Sequence, residues 1–479
     1  MAVCLSILVT AAIAAPPNIV LILADDLGYG EIGAFGQDRI ATPHLDRLAG
    51  EGAMLTQHYS GSPVCAPARC TLLTGLHTGH AAVRDNWENG GWGVGEPEGQ
   101  FPLPDAEQTL AEILKERGYV TAAIGKWGLG GPGTSGQPNA QGFDHFYGYL
   151  CQRKAHNYYP THLWRNTDRD LLPGNEWFSA HQHLPEDAEV SDADAYREYA
   201  GETYAPDLMI TEAEAFIEKN ADDPFFLYFA TPIPHLALQI PDAEVSAYPE
   251  SWDKAAYPGN RGYLPHPRPR AAYAAMISRF DRDVGRILRQ LEVMDVADNT
   301  IVIVTSDNGP SWVGGVDRAF FESSGGLRGR KAEIFEGGIR VPTIVRWPGE
   351  IEPGSVCDEP SAFWDWLPTL TAIAGGEPVQ TDGIDLTDAL RGTKFEADRG
   401  LYWEFGPWQA YRRGPWKLVR RRKGDTVEVM LFNLVEDPSE SRNLASELSV
   451  LADQLIAEAT AQRMPSPDFP SFVDQKETQ

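Results

Sequence analysis

Four short, uninterrupted apolar segments constrain the fold of this 479-residue chain more than any other feature. They are residues 18–24 (NIVLILA), 119–124 (YVTAAI), 224–230 (PFFLYFA) and 300–305 (TIVIVT). A strand that is apolar at every position is buried on both faces, which is typical of a parallel sheet covered by helices on both sides. Because helix-like segments alternate with these strands, the sequence predicts an α/β fold with a large, mixed, mostly parallel sheet sandwiched by helices.

The composition changes after about residue 376. Residues 411–419 and 427–433 are strand-like and residues 448–463 are helix-like, which indicates a small antiparallel sheet with a packed helix. We therefore predict an α/β domain over residues 16–375 and a smaller C-terminal subdomain over residues 376–479.

The first fifteen residues (MAVCLSILVTAAIAA) are apolar and end in small side chains, so we predict a signal peptide and a periplasmic or secreted protein. No later segment of the sequence is long and apolar enough to span a bilayer. The five cysteines fit neither a disulfide framework nor the spacing of a zinc ribbon.

The chain is strongly acidic, with 40 Lys and Arg against 68 Asp and Glu and a formal net charge of −28. Such a surface disfavours binding to nucleic acid or to an anionic membrane. An anionic substrate would have to be attracted by a local cluster of basic side chains and a metal ion.

Polar residues follow each of the four apolar strands at the point where it ends. In chain order they are Asp25 and Asp26, Lys126, His235, and Asp307 and Asn308. Since parallel strands end at the same edge of a sheet, we expect these side chains to lie together. The carboxylates and the amide oxygen of Asn308 suit a hard cation such as Ca²⁺ or Mg²⁺. A histidine at position 308 would instead favour zinc or manganese.

The segment Cys65-Ala66-Pro67-Ala68-Arg69 combines a cysteine and an arginine at the predicted start of a helix. Pro67 fits the first turn of a helix, which places Cys65 at or just before the helix N-terminus, where the dipole favours an anion. Arg69, about one turn later, lies on the same side and can hold an oxyanion or a nucleophile.

This motif resembles the sulfatase signature Cys-x-Pro-x-Arg, in which a maturation enzyme oxidises the cysteine to Cα-formylglycine. The order of motifs also resembles that of the formylglycine-dependent type I sulfatases of the alkaline-phosphatase superfamily, including arylsulfatases and N-acetylgalactosamine-6-sulfatases. Besides the cysteine signature, the matching segments are Asp25-Asp26, Lys126, His235, Asp307-Asn308-Gly309, Lys331, Glu336-Gly337-Gly338, Trp416-Lys417-Leu418 and Leu431-Phe432-Asn433-Leu434.

The resemblance implies that Cys65 becomes formylglycine and that one hydroxyl of its hydrated form attacks sulfur. It implies Ca²⁺, rather than Mg²⁺, bound by Asp25, Asp26, residue 65, Asp307 and Asn308. The second hydroxyl then expels sulfate from a sulfo-enzyme intermediate and restores the aldehyde. A formylglycine-generating maturation enzyme is the implied partner.

The resemblance also assigns the remaining catalytic side chains. Arg69 holds the nucleophile, and Lys126 and Lys331 neutralise the sulfate oxygens, so catalysis is largely electrostatic. His235, together with Lys331, protonates the leaving alcohol as a general acid. The implied reaction is hydrolysis of a sulfate ester to an alcohol and inorganic sulfate.

One position departs from the family pattern, which has histidine in Gly-Lys-Trp-His-Leu-Gly where this chain has Gly128. That histidine assists release of sulfate, so His77, His80 or His156 could replace it, or water could, or the step could be slow.

Residues 142–206 are irregular and rich in aromatic side chains, as functional loops often are. Within and near this segment we predict a substrate site formed by His80, Arg84, His156, Tyr158 and Trp164. The substrate would be a sulfated carbohydrate, from a polysaccharide or its oligosaccharides, or an aryl sulfate. Two other functions stay open: a phosphomonoester or phosphonate hydrolase on the same scaffold, and an inactive protein that binds sulfated glycans.

Overall fold

A computed structural model describes residues 16–474 except 91, 92, 94, 191 and 394–397. The predicted signal peptide, residues 1–15, lies outside the described residues. The strands are β1 (Asn18–Ala24), β2 (Ala53–Leu55), β3 (His58–Tyr59), β4 (Val120–Lys126), β5 (His145–Tyr149), β6 (His162–Arg165), β7 (Asp168–Leu171), β8 (Phe225–Ala230), β9 (Thr300–Ser306), β10 (Thr343–Arg346), β11 (Ser355–Cys357), β12 (Ser361–Ala362), β13 (Gly400–Phe405), β14 (Trp408–Arg413), β15 (Trp416–Lys423) and β16 (Thr426–Asn433).

The α-helices are α1 (Pro43–Glu51), α2 (Cys65–Thr74), α3 (Leu110–Glu116), α4 (Ala205–Lys219), α5 (Asp242–Val245), α6 (Pro269–Val293), α7 (Arg318–Phe321), α8 (Glu336–Ile339), α9 (Trp366–Ile373), α10 (Thr387–Leu390) and α11 (Ser449–Ala461). None of them is both long and apolar enough to cross a membrane.

Ten strands of the described chain form one sheet, in the order β11-β2-β10-β9-β1-β8-β4-β5-β6-β7. The central strands β9, β1, β8, β4 and β5 are parallel. Strand β10 is antiparallel to β9, and β6 and β7 extend the other side in antiparallel fashion. The predicted mixed, mostly parallel sheet is therefore confirmed.

Helices cover both faces of this sheet, and the residues of β1 are accordingly buried on both of its faces. In β1, Val20 and Ile22 pack in one core with residues of α1, α4 and α6. The alternate residues Ile19, Leu21 and Leu23 pack in a second core with residues of α2, α3 and α9.

Two predicted elements differ from the observed ones. The segment predicted as one strand over residues 411–419 is two strands, β14 and β15, joined by a turn at Gly414. The segment 142–206 is not wholly irregular, since β5, β6 and β7 lie within it. β5 (HFYGY) is interrupted by Gly148, and β6 (HLWR) and β7 (DRDL) are short and carry charged side chains, so none of them has the continuous apolar pattern of β1.

Strands β13–β16 form a separate antiparallel sheet, and α11 packs on one of its faces. Its other face shares a core with Tyr59, Ile334 and Ile339 of the α/β part. Trp403 of β13 donates a hydrogen bond from Nε1 to the Ser60 carbonyl, at 2.8 Å. The two sheets are thus joined by apolar packing and by buried hydrogen bonds.

A buried ion network also crosses this junction. Lys417 Nζ lies 2.9 Å from Glu336 Oε1 and 2.9 Å from Glu440 Oε1. Tyr59 donates its hydroxyl to Glu336 Oε2 at 2.6 Å, and Arg412 donates to the Tyr59 hydroxyl. We call these five side chains the junction network.

Candidate active site

The cysteine signature begins a helix at the carboxyl edge of the large sheet. Cys65 is the first residue of α2, and the Ala66 N–H donates to Asn86 Oδ1 at 2.9 Å, which satisfies one of the free N–H groups of the first turn. The helix ends at Gly75, whose φ of +70° is the left-handed conformation of a helix cap. Cys65 is buried, and its Sγ lies 3.3 Å from Asp25 Oδ1. The predicted nucleophile and the acidic pair are therefore in contact.

The register of the sheet places the acidic residues side by side. Leu23 of β1 lies opposite Ala230 of β8 and Thr305 of β9, so the three strands end level. The Asp307 N–H then donates to the Ala24 carbonyl at 3.0 Å.

Arg69 is held inside this cluster by several hydrogen bonds. Its Nε and Nη2 lie 3.2 and 2.8 Å from Asp307 Oδ2, and its Nη1 donates to the Lys126 carbonyl. Nη2 also lies 3.5 Å from Asp25 Oδ2. The guanidinium is fully buried, so these contacts fix its orientation.

The two predicted lysines each bind one carboxylate of the acidic pair. Lys126 Nζ lies 2.5 Å from Asp25 Oδ2. Lys331 Nζ lies 2.7 and 2.9 Å from the two oxygens of Asp26 and 3.5 Å from Cys65 Sγ. Both ammonium groups are therefore positioned within the cluster.

His235 lies beside Asp26, and its Nε2 is 3.6 Å from Asp26 Oδ2. Its Nδ1 is 2.6 Å from the Leu236 carbonyl, and because a carbonyl only accepts, Nδ1 must be the protonated nitrogen. Burial, together with Lys331 and Lys126, lowers the pKa of His235 well below its usual value. The neutral ring is therefore favoured, and in that form Nε2 is the unprotonated nitrogen.

The donor set fits a hard cation. Ligand atoms of Asp25, Asp26, Cys65 and His235 all lie within 4.8 Å of one another. Asn308 donates its Nδ2 to Asp26 Oδ1 at 2.7 Å, while its Oδ1 is buried and has no hydrogen-bond partner among the described residues. A buried amide oxygen beside carboxylates can complete an oxygen-rich site for Ca²⁺ or Mg²⁺.

The charges of these side chains also suit a bound cation. Burial and the neighbouring Asp25 raise the pKa of Asp307 to about 6, although Arg69 opposes this. Burial also opposes ionisation of Asp25, but Lys126 and Arg69 outweigh it and lower its pKa to about 2. Three carboxylates are packed against three basic side chains, so a divalent cation would leave an excess of positive charge that attracts an anion.

The Cys65 thiol is not activated by its surroundings. Burial raises its pKa well above the usual value, and Asp25 and Asp307 raise it further. Since the thiolate is the nucleophilic form of cysteine, the unmodified side chain is a poor nucleophile here.

The structure separates the five predicted substrate residues. The His156 ring stacks on His235 with centroids 4.6 Å apart, and the Tyr158 hydroxyl donates to the His235 carbonyl at 2.6 Å. His80 Nδ1 lies 2.8 Å from Asp382 Oδ1. The other two are Arg84, whose Nη1 is 3.1 Å from Glu404 Oε1, and Trp164, which is buried among apolar residues. We call the predicted catalytic and metal-binding residues the catalytic cluster: Asp25, Asp26, Cys65, Arg69, Lys126, His235, Asp307, Asn308 and Lys331. Of the five predicted substrate residues, only His156 and Tyr158 contact this cluster directly, and the substrate role of all five stays a prediction.

Two aromatic residues beside the cluster were not predicted. The Tyr263 ring meets His235 edge-on at 5.7 Å, and His181 Nε2 lies 2.9 Å from His156 Nδ1. Both lie in loops without periodicity, so no sequence pattern marks them. Together with His156 they form one wall around His235.

Gly128, where histidine was expected from the resemblance, has φ of +84°. A Cβ atom there would lie 2.3 Å from Gln152 Nε2, so the Gln152 side chain fills the adjacent space. An amide cannot act as a base. Of the three predicted replacements, His77 and His80 both approach Asp382, and His156 is the one in contact with the cluster.

Two known proteins that are similar to this chain are both sulfatases. Bovine (Bos taurus) arylsulfatase A is 31% identical over 484 residues, covering 93% of this chain and 86% of the relative. Human (Homo sapiens) N-acetylgalactosamine-6-sulfatase is 31% identical over 385 residues, covering 77% of this chain and 64% of the relative. The chain thus spans less than two thirds of the length of that relative.

A solved structure of Ps i-CgsB in complex with a neocarrahexaose superposes with a TM-score of 0.72 and 26% identity, covering 92% of each chain. The model of the family described as Sulfatase matches residues 17–376, which include every residue of the catalytic cluster. The chain belongs to the sulfatase family.

Proposed function

We propose that this protein hydrolyses a sulfate ester of a sulfated carbohydrate, releasing an alcohol and inorganic sulfate. The observation that carries the proposal is the position of Cys65, whose Sγ lies 3.3 Å from Asp25 Oδ1 where the parallel strands end. Family membership supports the reaction class, and the cluster of acidic and basic side chains around the cysteine supports chemistry on an anion.

The nucleophile would be formylglycine made from Cys65. The neutral, buried thiol is unsuited to attack, which supports a need for conversion. The hydrated aldehyde would supply one hydroxyl as the nucleophile and a second to release sulfate. Arg69, fixed by Asp307 and the Lys126 carbonyl, would hold residue 65 in position.

Asp25, Asp26, residue 65, Asp307 and Asn308 would hold a Ca²⁺ ion. The cation would supply positive charge that stabilises the ionised nucleophile and the sulfate oxygens. In the structure, the Lys126 and Lys331 ammonium groups bind the carboxylates of Asp25 and Asp26, which would face this cation. They can turn from these carboxylates to the sulfate oxygens, because both side chains are long and flexible.

His235 would donate a proton to the leaving oxygen from Nε2. Its Nδ1–H is committed to the Leu236 carbonyl, so only Nε2 is available for exchange. The negative charge of a bound sulfate ester raises the pKa of a nearby imidazole, which favours protonation of Nε2 when substrate is present. Lys331, in contact with Asp26 on the same side, would assist.

The names of two similar proteins support a carbohydrate substrate. One relative is an N-acetylgalactosamine-6-sulfatase, and the structure of Ps i-CgsB holds a neocarrahexaose. The apolar N-terminal segment supports export to the periplasm or beyond, where such polymers occur. A formylglycine-generating enzyme would then be required for maturation.

Mass spectrometry of the tryptic peptide that contains residue 65 tests maturation, since the thiol should be replaced by an aldehyde. Matured protein should release sulfate from 4-nitrophenyl sulfate and from sulfated sugars, and Cys65→Ala should abolish this. Cys70→Ala, a buried cysteine of the same helix, is the matched control and should retain activity. A preference for 4-nitrophenyl phosphate by orders of magnitude, or glycan binding without sulfate release after confirmed maturation, would refute the proposal.

A further inference from the structure

A groove of about 570 Å³ is lined by more basic than acidic side chains. Its basic residues are Lys254, Arg261, Arg270, Arg318 and Arg330, and its acidic ones are Asp253 and Asp317. We call this surface the basic groove. The chain as a whole has a net charge of −28, so this concentration of positive charge runs against the rest of the surface.

The two acidic residues of the groove are already engaged. Asp317 binds Arg270, with Oδ2 2.6 Å from Nη2 and 3.0 Å from Nε. Asp253 accepts the Arg270 N–H at 2.7 Å at the start of α6 and lies 3.6 Å from Arg268 Nε. They therefore neutralise Arg270 and cap a helix, and neither of them pairs with Lys254, Arg261 or Arg318.

In the described part of the chain, Lys254, Arg261 and Arg318 have no carboxylate within 4.0 Å. Arg330 pairs with Glu333 at 3.2 Å and stacks over the Trp312 ring at 3.9 Å. Burial, followed by the charge of Arg330, lowers the pKa of Arg318. Holding cations together without partners is unfavourable, and a bound anion would relieve it.

Several residues of the basic groove are neighbours in the sequence of residues in or next to the catalytic cluster. Arg330 directly precedes Lys331, whose Nζ contacts Asp26 and Cys65. Trp312 follows Pro310, whose carbonyl accepts the Lys331 N–H at 3.1 Å. Arg261 comes two residues before Tyr263, which contacts His235. A substrate held at Cys65 would therefore have the groove as its neighbour.

We propose that the basic groove binds a second anionic group, a sulfate or a carboxylate, of an oligosaccharide whose first sulfate ester lies at residue 65. This inference rests on the proposed sulfatase function and assigns its substrate class as multiply charged oligosaccharides. The volume of the groove lies in the range of ligand sites. An arginine can donate two hydrogen bonds to two oxygens of a sulfate or carboxylate, and Trp312, which stacks with Arg330, is only partly buried in the wall of the groove.

The test uses two matched double variants. Lys254→Gln/Arg261→Gln removes two exposed cations of the groove that have no ion pair among the described residues. Lys219→Gln/Arg289→Gln removes the same charges from exposed positions near the ends of α4 and α6, which lead into the starts of β8 and β9. The control residues therefore lie at the opposite edge of the sheet.

Binding of a multiply sulfated carrageenan hexasaccharide is measured by calorimetry in a Cys65→Ala background, so that no ester is consumed. The groove variant should weaken binding about 10-fold and reduce its salt dependence, while the control variant should change little. With Cys65 intact, the groove variant should keep its kcat/KM on 4-nitrophenyl sulfate, which has no second anionic group for the groove to bind.

Equal affinities in the two double variants, or no binding of the hexasaccharide at all, would overturn the assignment. Single-stranded DNA of equal charge that binds as tightly would also overturn it, because the surface would then recognise any polyanion. If matured natural enzyme releases no sulfate from any ester, the proposed function fails, while the comparison of the double variants still decides whether the groove binds acidic oligosaccharides.

Discussion

Replacing Glu440 by glutamine should make the protein more stable at pH 8, although the change removes a buried ion-pair partner. In the junction network one ammonium, that of Lys417, serves two carboxylates at 2.9 Å each. Burial raises the pKa of Glu440 to about 7 against the attraction of Lys417, and the nearby Glu336 raises it further. Ionised Glu440 is therefore a net cost to the folded chain.

The size of the effect follows from proton linkage. In the unfolded chain a glutamate titrates near its usual value of 4.5, and in the folded protein Glu440 titrates near 7. Stability from this group is complete below pH 4.5 and is lost as the pH rises through 7, because the unfolded chain releases its proton first. The loss is about 3 kcal/mol when complete, and most of it, about 2 to 3 kcal/mol, falls between pH 5 and pH 8.

Urea unfolding followed by tryptophan fluorescence at pH 5, 6, 7 and 8 measures this directly. Glutamine does not titrate, so the stability difference between Glu440→Gln and the natural chain should grow by about 2 to 3 kcal/mol from pH 5 to pH 8. Glu436→Gln, an exposed glutamate of the same loop, is the control and should show no such trend. A difference that stays constant with pH, or a variant less stable than the natural chain at pH 8, would refute the reasoning.

Three further predictions concern the catalytic cluster. His235→Ala should lower kcat by about 10²- to 10⁴-fold on an alkyl sulfate and less on 4-nitrophenyl sulfate, whose leaving group needs less protonation; equal losses on both would argue against a general acid. Chelation of Ca²⁺ should stop sulfate release and lower the Tm, because the ion binds only the folded protein, and Asn308→Leu should raise the Ca²⁺ concentration that restores both. Gly128→Ala should destabilise the fold by about 1 to 3 kcal/mol, since its φ is left-handed and its Cβ would meet Gln152. Adding Gln152→Ala should recover part of that loss in the same urea titration; no recovery would show that backbone strain alone is responsible.

The sequence predicted the centre of the fold well because its strands are apolar throughout. β1 and β9 bury every residue, so their pattern is unambiguous and their carboxyl ends could be compared directly. The edge strand β7, with the sequence DRDL, is largely exposed and has no pattern that separates it from a loop.

In the catalytic cluster, the structure brings together the residues that follow strands, as expected from the sequence, whereas contacts that depend on loop paths were not predicted. Asp25 and Asp307 meet because strands in register end level, which a sequence can indicate. Tyr263 and His181 reach His235 and His156 through irregular segments, whose course is set by packing with distant residues. The same holds for the basic groove, which combines residues from five separate segments.

The hydrogen bond from Trp403 to Ser60 has a consequence for any attempt to shorten the protein. Ser60 also donates its hydroxyl to the Asp307 carbonyl at 2.5 Å, so it connects the four-stranded sheet to the main chain of Asp307 in the catalytic cluster. A chain that stopped at residue 375 would leave Ser60 without the indole and Glu336 without its ammonium partner. Residues 376–479 therefore support the packing around the catalytic cluster, and we expect a chain without them to be inactive.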